Sequence, residues 1–316
     1  MNRKKIIGAL VIGAAVLSLL AALFARAGNP ASGRGEGDGG PGSRGVVAIL
    51  EINGVIVGDE SSAGIFGGEN VGARTVMEQI RQASKNPDIK AVVLRINSPG
   101  GSAAASQEIT EELIRLKAGG IKIVASMGDV AASGAYWISS ASDKIVANPG
   151  TITGSIGVIM QSHNLRGLYE KLGIGSDTIK SGAYKDMGSP ERPMSGDERR
   201  IFQSMVDDTY QQFVEAVARG RNISPEVVRE LDGRVLTGRQ AMKAGLVDQM
   251  GNFYDAVSLA GEISGLGKDP RTLDLRPHKQ WWRFLGGVGT STGVFPPSGS
   301  LKDYSGVMLL CPPVKM

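Results

Sequence analysis

The 316 residues contain only two histidines and one cysteine. Cys311 cannot form an intramolecular disulfide, and it excludes a cysteine-rich metal site. His163 and His278 are too few for a zinc centre or a histidine-based catalytic apparatus to be expected. Aromatic residues are sparse, at 5%. Charge of one sign is also lacking. The 35 basic and 31 acidic residues leave a net charge of +4, part of it from Arg3, Lys4 and Lys5, so no nucleic-acid partner is expected. These shortages set a chemical problem. A nucleophilic hydroxyl in this chain needs a base, and histidine is hardly available to be one.

Apolar residues make up 41% of the chain, enough for a substantial core. The length suits one large or two ordinary domains with appendages. Glycine is abundant, at 45 residues, partly because of a low-complexity tract near the N-terminus. Residues 6–25, IIGALVIGAAVLSLLAALFA, form an uncharged apolar run behind a basic start. About 20 helical residues cross a bilayer core of roughly 30 Å. The basic start predicts a cytoplasmic N-terminus, with the rest of the chain beyond the membrane. A cleavable signal peptide is the rival, since Ala25-Arg26-Ala27 resembles a small-x-small cleavage site. The length of the run favours an uncleaved anchor in a prokaryotic cell membrane. Residues 28–45, GNPASGRGEGDGGPGSRG, read as a flexible tether.

From Val46 the pattern alternates. VVAILEINGVIV predicts a strand, a turn at Asn53-Gly54 and a short strand. Val76, Met77 and Ile80 fall at helical spacing. Ile89–Ile96 is a β-branched run of the kind buried on both faces of a sheet. Ser102 can cap a helix over Ala103–Lys117, with Glu108, Glu111 and Glu112 on its solvent side. Ile121–Ser126, Lys144–Ala147 and Thr151–Met160 read as further strands. The longest helix is expected over Asp197–Arg219, with Ile201, Met205, Val206, Phe213, Val214 and Val217 on one stripe. This alternation predicts an α/β fold with a parallel sheet and helices packed on it. Past Gly265 the pattern fades. The tail, residues 267–316, reads as poorly ordered. It holds Trp281-Trp282-Arg283-Phe284, which suits a membrane interface or a neighbouring subunit, and Val307–Leu310, which could occupy an apolar groove as an internal competitor.

The chemistry centres on Met127–Met160. Ser133 sits in the cramped run Ala131-Ala132-Ser133-Gly134, where the chain must turn tightly. Its hydroxyl becomes a nucleophile only if a base takes its proton. A desolvated lysine can serve, because burial disfavours the charged amine. Lys185, entering a Gly/Ser/Pro loop, is the best candidate, though an ordinary solvated lysine is the alternative. Gly100-Gly101 follows a buried strand and opens a helix, a place where backbone N–H groups can hold an oxyanion or merely make a turn. Ser155 could orient a neutral lysine without recharging it, or could be a structural serine at a strand end.

These stretches, in this order, resemble the S49 family of serine peptidases in its short, single-repeat signal peptide peptidase form. The resemblance rests on Asn97-Ser98-Pro99-Gly100-Gly101, Ala131-Ala132-Ser133-Gly134, Ala141-Ser142-Asp143-Lys144-Ile145, Thr153-Gly154-Ser155-Ile156-Gly157-Val158 and Ser181-Gly182-Ala183-Tyr184-Lys185-Asp186. Ser189-Pro190, Arg192, Met194, Gly238-Arg239-Gln240-Ala241 and Gly245-Leu246-Val247-Asp248 continue it. It spans roughly Val46 to Gly265, a peptidase domain expected over 46–266. It implies a crotonase/Clp-protease-like core, Ser133 as nucleophile and Lys185 as general base. It further implies Gly101, more than Gly100, in the oxyanion hole and Ser155 as the hydroxyl that bonds the lysine. It also implies a membrane-bound peptidase that degrades cleaved signal peptides through an acyl-enzyme, assembled as a ring-like homo-oligomer such as an octamer. No cofactor and no metal are called for. Ala135, often glycine in the family, and Trp137, often tyrosine, depart from the pattern and bear on local substrate fit. The rival functions are a crotonase-like acyl-coenzyme A enzyme, which the apolar N-terminal run disfavours, and a catalytically silent membrane scaffold.

Overall fold

The computed structural model describes residues 45–59 and 70–275, and the backbone of the strand Met308–Leu310. The apolar run over 6–25, the tract over 28–45 (save Gly45) and the tryptophan pair lie outside the described residues. In chain order the strands are β1 (Val46–Asn53), β2 (Val55–Val57), β3 (Asn70–Gly72), β4 (Ile89–Ser98), β5 (Gly100–Ser102), β6 (Lys122–Ala132), β7 (Lys144–Ala147), β8 (Ile152–Gly154), β9 (Val235–Thr237), β10 (Gln249–Met250), β11 (Thr272–Asp274) and β12 (Met308–Leu310). The helices are α1 (Ala73–Lys85), α2 (Ala103–Ala118), α3 (Gly134–Ser140), α4 (Arg166–Leu172), α5 (Gly196–Arg221), α6 (Pro225–Glu230), α7 (Gly238–Lys243) and α8 (Phe253–Ile263).

The main sheet runs β10-β7-β6-β4-β1-β11, all parallel, with β8 beside β6 and β9 antiparallel to β8. Alternation along the central strands decides its two faces. Val47, Ala91, Val93, Val124 and Val146 pack under α8 against Ala256 and Ala260. Ala48, Leu50, Val92, Leu94 and Ile123 face the other way, into the larger core with Val76 and Ile80 of α1 and Ile109 and Leu113 of α2. Each fully buried Leu or Ile of such a core contributes about 1.5–3 kcal/mol. The α/β fold with a mostly parallel sheet and packed helices is therefore the one expected. A second small sheet, β3-β2-β5-β12, places Gly100–Ser102 beside Ile56.

Four local expectations are corrected. Glu112 is buried rather than on the solvent side of α2, because α1 packs there and Arg81 (2.8 Å) and Arg115 (2.6 Å) pair with its carboxylate. The strand expected over Thr151–Met160 stops at Gly154, where Ser155 takes φ 51° and its N–H turns to Arg234 O (3.0 Å). On α5 the apolar stripe is buried only at Phe213, Val214 and Val217; Met205 is exposed and Ile201 and Val206 half-buried, because the first turns run beyond the body. Thr272–Asp274, past the point where the pattern fades, pairs in parallel with β1.

Candidate active site

Strand β6 ends at Ala132, and the chain reverses into α3 through one residue, Ser133, at φ 55° and ψ −123°. An L-residue rarely adopts this conformation, and holding it costs on the order of 1–3 kcal/mol. The surroundings impose it. Ser133 N donates to Gly154 O (2.9 Å), and Ser133 O accepts from Trp137 N (2.9 Å). Trp137 is buried and stacks on Phe213 of α5 at 4.5 Å between centroids, so α3 is clamped from behind. Tyr136 donates its hydroxyl to Leu246 O (2.9 Å), and burial pushes that phenol well above its ordinary pKa. The Ser133 side chain is 1% exposed, and among the described residues its Oγ has no hydrogen-bond partner.

The glycines of β5 lie against this turn. A Cβ on Gly134 would sit 3.3 Å from Gly101 N and 2.5 Å from Ser106 Oγ, so only glycine fits there. Gly101 is packed as tightly on its other side, where a Cβ would fall 2.0 Å from Ile56 O. Gly100 N donates to Ser98 Oγ (3.1 Å) and is thereby occupied. Ser155 follows Gly154, which pairs with Ala132, so its 7%-exposed side chain stands one strand from the nucleophile turn. Gly101→Ala keeps the backbone N–H but must move it away from Ile56. Under the reading proposed below, in which that N–H meets the oxyanion, the substitution is expected to lower peptide hydrolysis by about 10²–10³-fold, the scale of losing one donor. It should also lower the melting temperature, because β5 must shift away from β2. Steady-state kinetics with a melting curve checks both.

Lys185 lies elsewhere. It belongs to an arm over residues 158–195 that leaves the body after β8 and returns at α5. No residue of α4 within it is buried. Lys185 is exposed, and among the described residues its Nζ has no hydrogen-bond partner. The single chain thus brings together Ser133, Ser155, Gly100 and Gly101, and leaves Lys185 unjoined to them. Leu168, Leu172, Ile174, Tyr184 and the fully exposed Ile179 also present apolar surface on the arm.

The sequence profile of peptidase family S49 matches residues 115–266, from the end of α2 through α8. Protease slr0021 of Synechocystis is 44% identical over 204 residues, which cover 64% of this chain and 73% of that protein. The chain belongs to peptidase family S49. With that family it is a serine peptidase, a hydrolase. An Enterococcus faecium protein named signal peptide peptidase SppA is 43% identical over 67% of this chain and 61% of its own length. Protease 4 of Salmonella typhi is 39% identical over 73% of this chain, but this chain spans only 38% of it. In this S49 chain, sequence reasoning gave no task to Ser98, which holds Gly100 N, or to Ser106, which closes on Gly134. Ser98 could have been noticed as a buried hydroxyl inside the Asn-Ser-Pro-Gly-Gly turn. Ser106 carried no comparable signal.

Proposed function

We propose that this S49 peptidase is a membrane-anchored serine endopeptidase with a Ser133–Lys185 dyad. Its substrates are apolar peptides, signal peptides left after secretory processing among them. The observation that carries the reading is the Ser133 hydroxyl, buried and among the described residues unpartnered, on a residue held at φ 55° whose chain neighbour Gly134 packs against the Gly101 amide. Ser133 Oγ attacks the scissile carbonyl while Lys185 Nζ takes its proton. The Gly101 N–H stabilises the developing oxyanion, a role for which Gly100 is less suited because its N–H is spent on Ser98. Lys185 then protonates the leaving amine, and an acyl-enzyme remains on Ser133. Water, deprotonated by Lys185, attacks the ester and releases the second product. Ser155 orients the lysine amine. Bound apolar peptide excludes water from the site.

The apolar run over 6–25 supports a single-pass anchor with the N-terminus cytoplasmic and the catalytic domain outside the cytoplasm. The exposed apolar side chains of the arm support a ring-like homo-oligomer in which neighbouring copies cover them and the arm brings Lys185 to Ser133. The test is labelling of the full chain in detergent by a serine-reactive phosphonate. Modification of Ser133 with parallel loss of peptide cleavage is expected. Cleavage that persists after complete labelling would refute the assignment. Sedimentation of the same sample checks the assembly.

The pairing of β12 with β5 supports an internal competitor. Met308, Leu309 and Leu310 pair antiparallel with Ser102, Gly101 and Gly100. This is the geometry in which an extended peptide adds a strand to a sheet edge. A tethered segment reaches an effective concentration of about 1 mM, enough to mask the site from weakly bound peptides. Truncation after Arg276 is expected to lower KM for a short apolar peptide severalfold and leave kcat unchanged. Steady-state kinetics on both forms decides it, and an unchanged KM counts against the competitor.

A further inference from the structure

The arm that carries Lys185 has almost no apolar core of its own, so something else must fix its shape. One guanidinium does much of this. Arg192 donates from Nε to Asp186 Oδ2 (2.9 Å) and from Nη2 to Asp186 Oδ1 (2.9 Å), a bidentate fork. The same side chain donates from Nη1 to Glu198 Oε2 (2.9 Å) and from Nη2 to Glu198 Oε1. Glu198 also accepts from Ser195 N (2.8 Å) in the capping box that starts α5. Lys180 Nζ completes the cluster on Asp186 Oδ1 (2.6 Å) and Ala183 O (3.2 Å). Between these anchors the backbone folds in successive turns, Lys185 N to Gly182 O (3.2 Å), Met187 N to Tyr184 O (3.1 Å) and Ser189 N to Asp186 O (3.1 Å). The Glu198 side chain, in the first turn of α5, is 2% exposed, an unusual burial for a carboxylate beside so open an arm.

Two cations and two anions make this cluster neutral. Asp186 is the chain neighbour of Lys185, yet both its oxygens are taken by Arg192 and Lys180. Arg192 holds the Asp186 carboxyl well below the usual carboxylate range and the Glu198 carboxyl down to about 2, so both are ionised and both need the guanidinium. A lysine that must lose its proton to act is badly served by a free carboxylate beside it. The other titratable or charged groups on the packed elements do not replace Arg192. On the segment Tyr184 carries no charge to offer, and Glu191 accepts from Ser176 (2.7 Å). His163 stands on the adjoining stretch of the arm. On α5, Asp197 is paired with Arg200.

We propose that Arg192 is a positioning residue, which fixes the segment bearing Lys185 and keeps the neighbouring Asp186 carboxylate engaged. This rests on the reading of Lys185 as general base. Arg192 touches neither Ser133 nor the reacting atoms; it acts through the loop. Lysine at this position retains the charge but cannot serve two carboxylates bidentately.

The test uses the full chain in detergent and a short apolar fluorogenic peptide, with kcat and KM measured across the neutral to alkaline range. Melting temperature and assembly size are recorded on the same samples. Arg192→Ala is expected to lower kcat on the order of 10²-fold, the scale of a small misplacement of a catalytic group. KM should change little, and the acid limb of the activity profile should move to higher pH. Arg192→Lys should keep the limb where it is and recover part of kcat. If Arg192→Ala keeps wild-type kcat and limb while Lys185→Ala is inactive, this inference falls and the dyad stands. If Lys185→Ala is fully active, the dyad itself falls and this inference with it. Equal losses in both Arg192 variants with no movement of the limb would reduce Arg192 to a fold role and overturn the proposal. Should Arg192→Ala fail to fold, Arg192→Lys decides alone: a lowered kcat at an unchanged melting temperature supports positioning, and wild-type kcat refutes it.

Discussion

Ser133→Ala is expected to abolish peptide hydrolysis and to leave the protein at least as stable as the wild type. Loss of a serine nucleophile costs on the order of 10⁶-fold in kcat when the residue acts as part of a catalytic unit. Stability follows a separate logic. The Ser133 Oγ is buried and, among the described residues, unpartnered, and such a group costs about 1–3 kcal/mol in lost solvation. Alanine removes that group and keeps the Cβ that α3 and β8 already accommodate. Ser133→Gly should be more stable still, because the positive φ is then free of strain. Peptide kinetics and thermal melting of the three proteins check both halves. Full cleavage by Ser133→Ala would end the nucleophile assignment. A melting temperature lowered by the alanine would mean that the hydroxyl has a structural partner.

Lys185→Ala comes next, with an expected loss of about 10⁴-fold, the upper range for a positioned general base. Its melting temperature should match the wild type, since Lys185 is exposed and its Nζ is unbonded among the described residues, and replacing such a surface side chain changes stability by about 0.5 kcal/mol or less. Lys185→Arg makes the sharper comparison. It keeps charge and reach, but a guanidinium does not deprotonate at working pH and cannot act as a base. Arginine is therefore expected to be as inactive as alanine. Rescue by arginine would convert the role of Lys185 from base to electrostatic contact. The exposure of Lys185 adds a second readout. If association of copies brings the arm to the nucleophile turn, as proposed, specific activity should rise with protein concentration through the range in which copies associate.

Much of the framework was legible from side-chain pattern alone. Ile89–Ile96 announced a central strand because it is rich in β-branched residues and nearly without interruption, and the observed strand, Ile89–Ser98, is buried along most of its length. The helix from Ala103 was readable from Ser102, whose Oγ accepts from Ala105 N (3.4 Å). Ser133 was legible as a turn because only small residues surround it. What escaped the sequence depends on pairs of residues far apart. The Gly100–Ser102 strand reads as a turn until Ile56 is set beside it. Glu112 reads as a solvent-facing charge until Arg81 arrives from α1. The early part of the α5 stripe looks like core because periodicity reports which side of a helix is apolar, not how far the body extends along it. Arg192 was visible within the motif, but its task emerges only when Asp186 and Glu198 converge on one guanidinium.

The pairing of β1 with β11 sets the schedule on which this molecule can fold. The first strand of the body and one of its last are neighbours, Val47 beside Thr272 and Ile49 beside Asp274. At a synthesis rate of roughly 5–20 residues per second, on the order of 10–50 s passes between the emergence of the two. Throughout that interval β1 has an open hydrogen-bonding edge, and its apolar residues Val47 and Ile49 wait for α8, which is also made late. Nascent chains of this fold should therefore depend on holding factors until the α8–β11 stretch is complete, and stalled or truncated products that lack it should aggregate through the uncovered β1 edge.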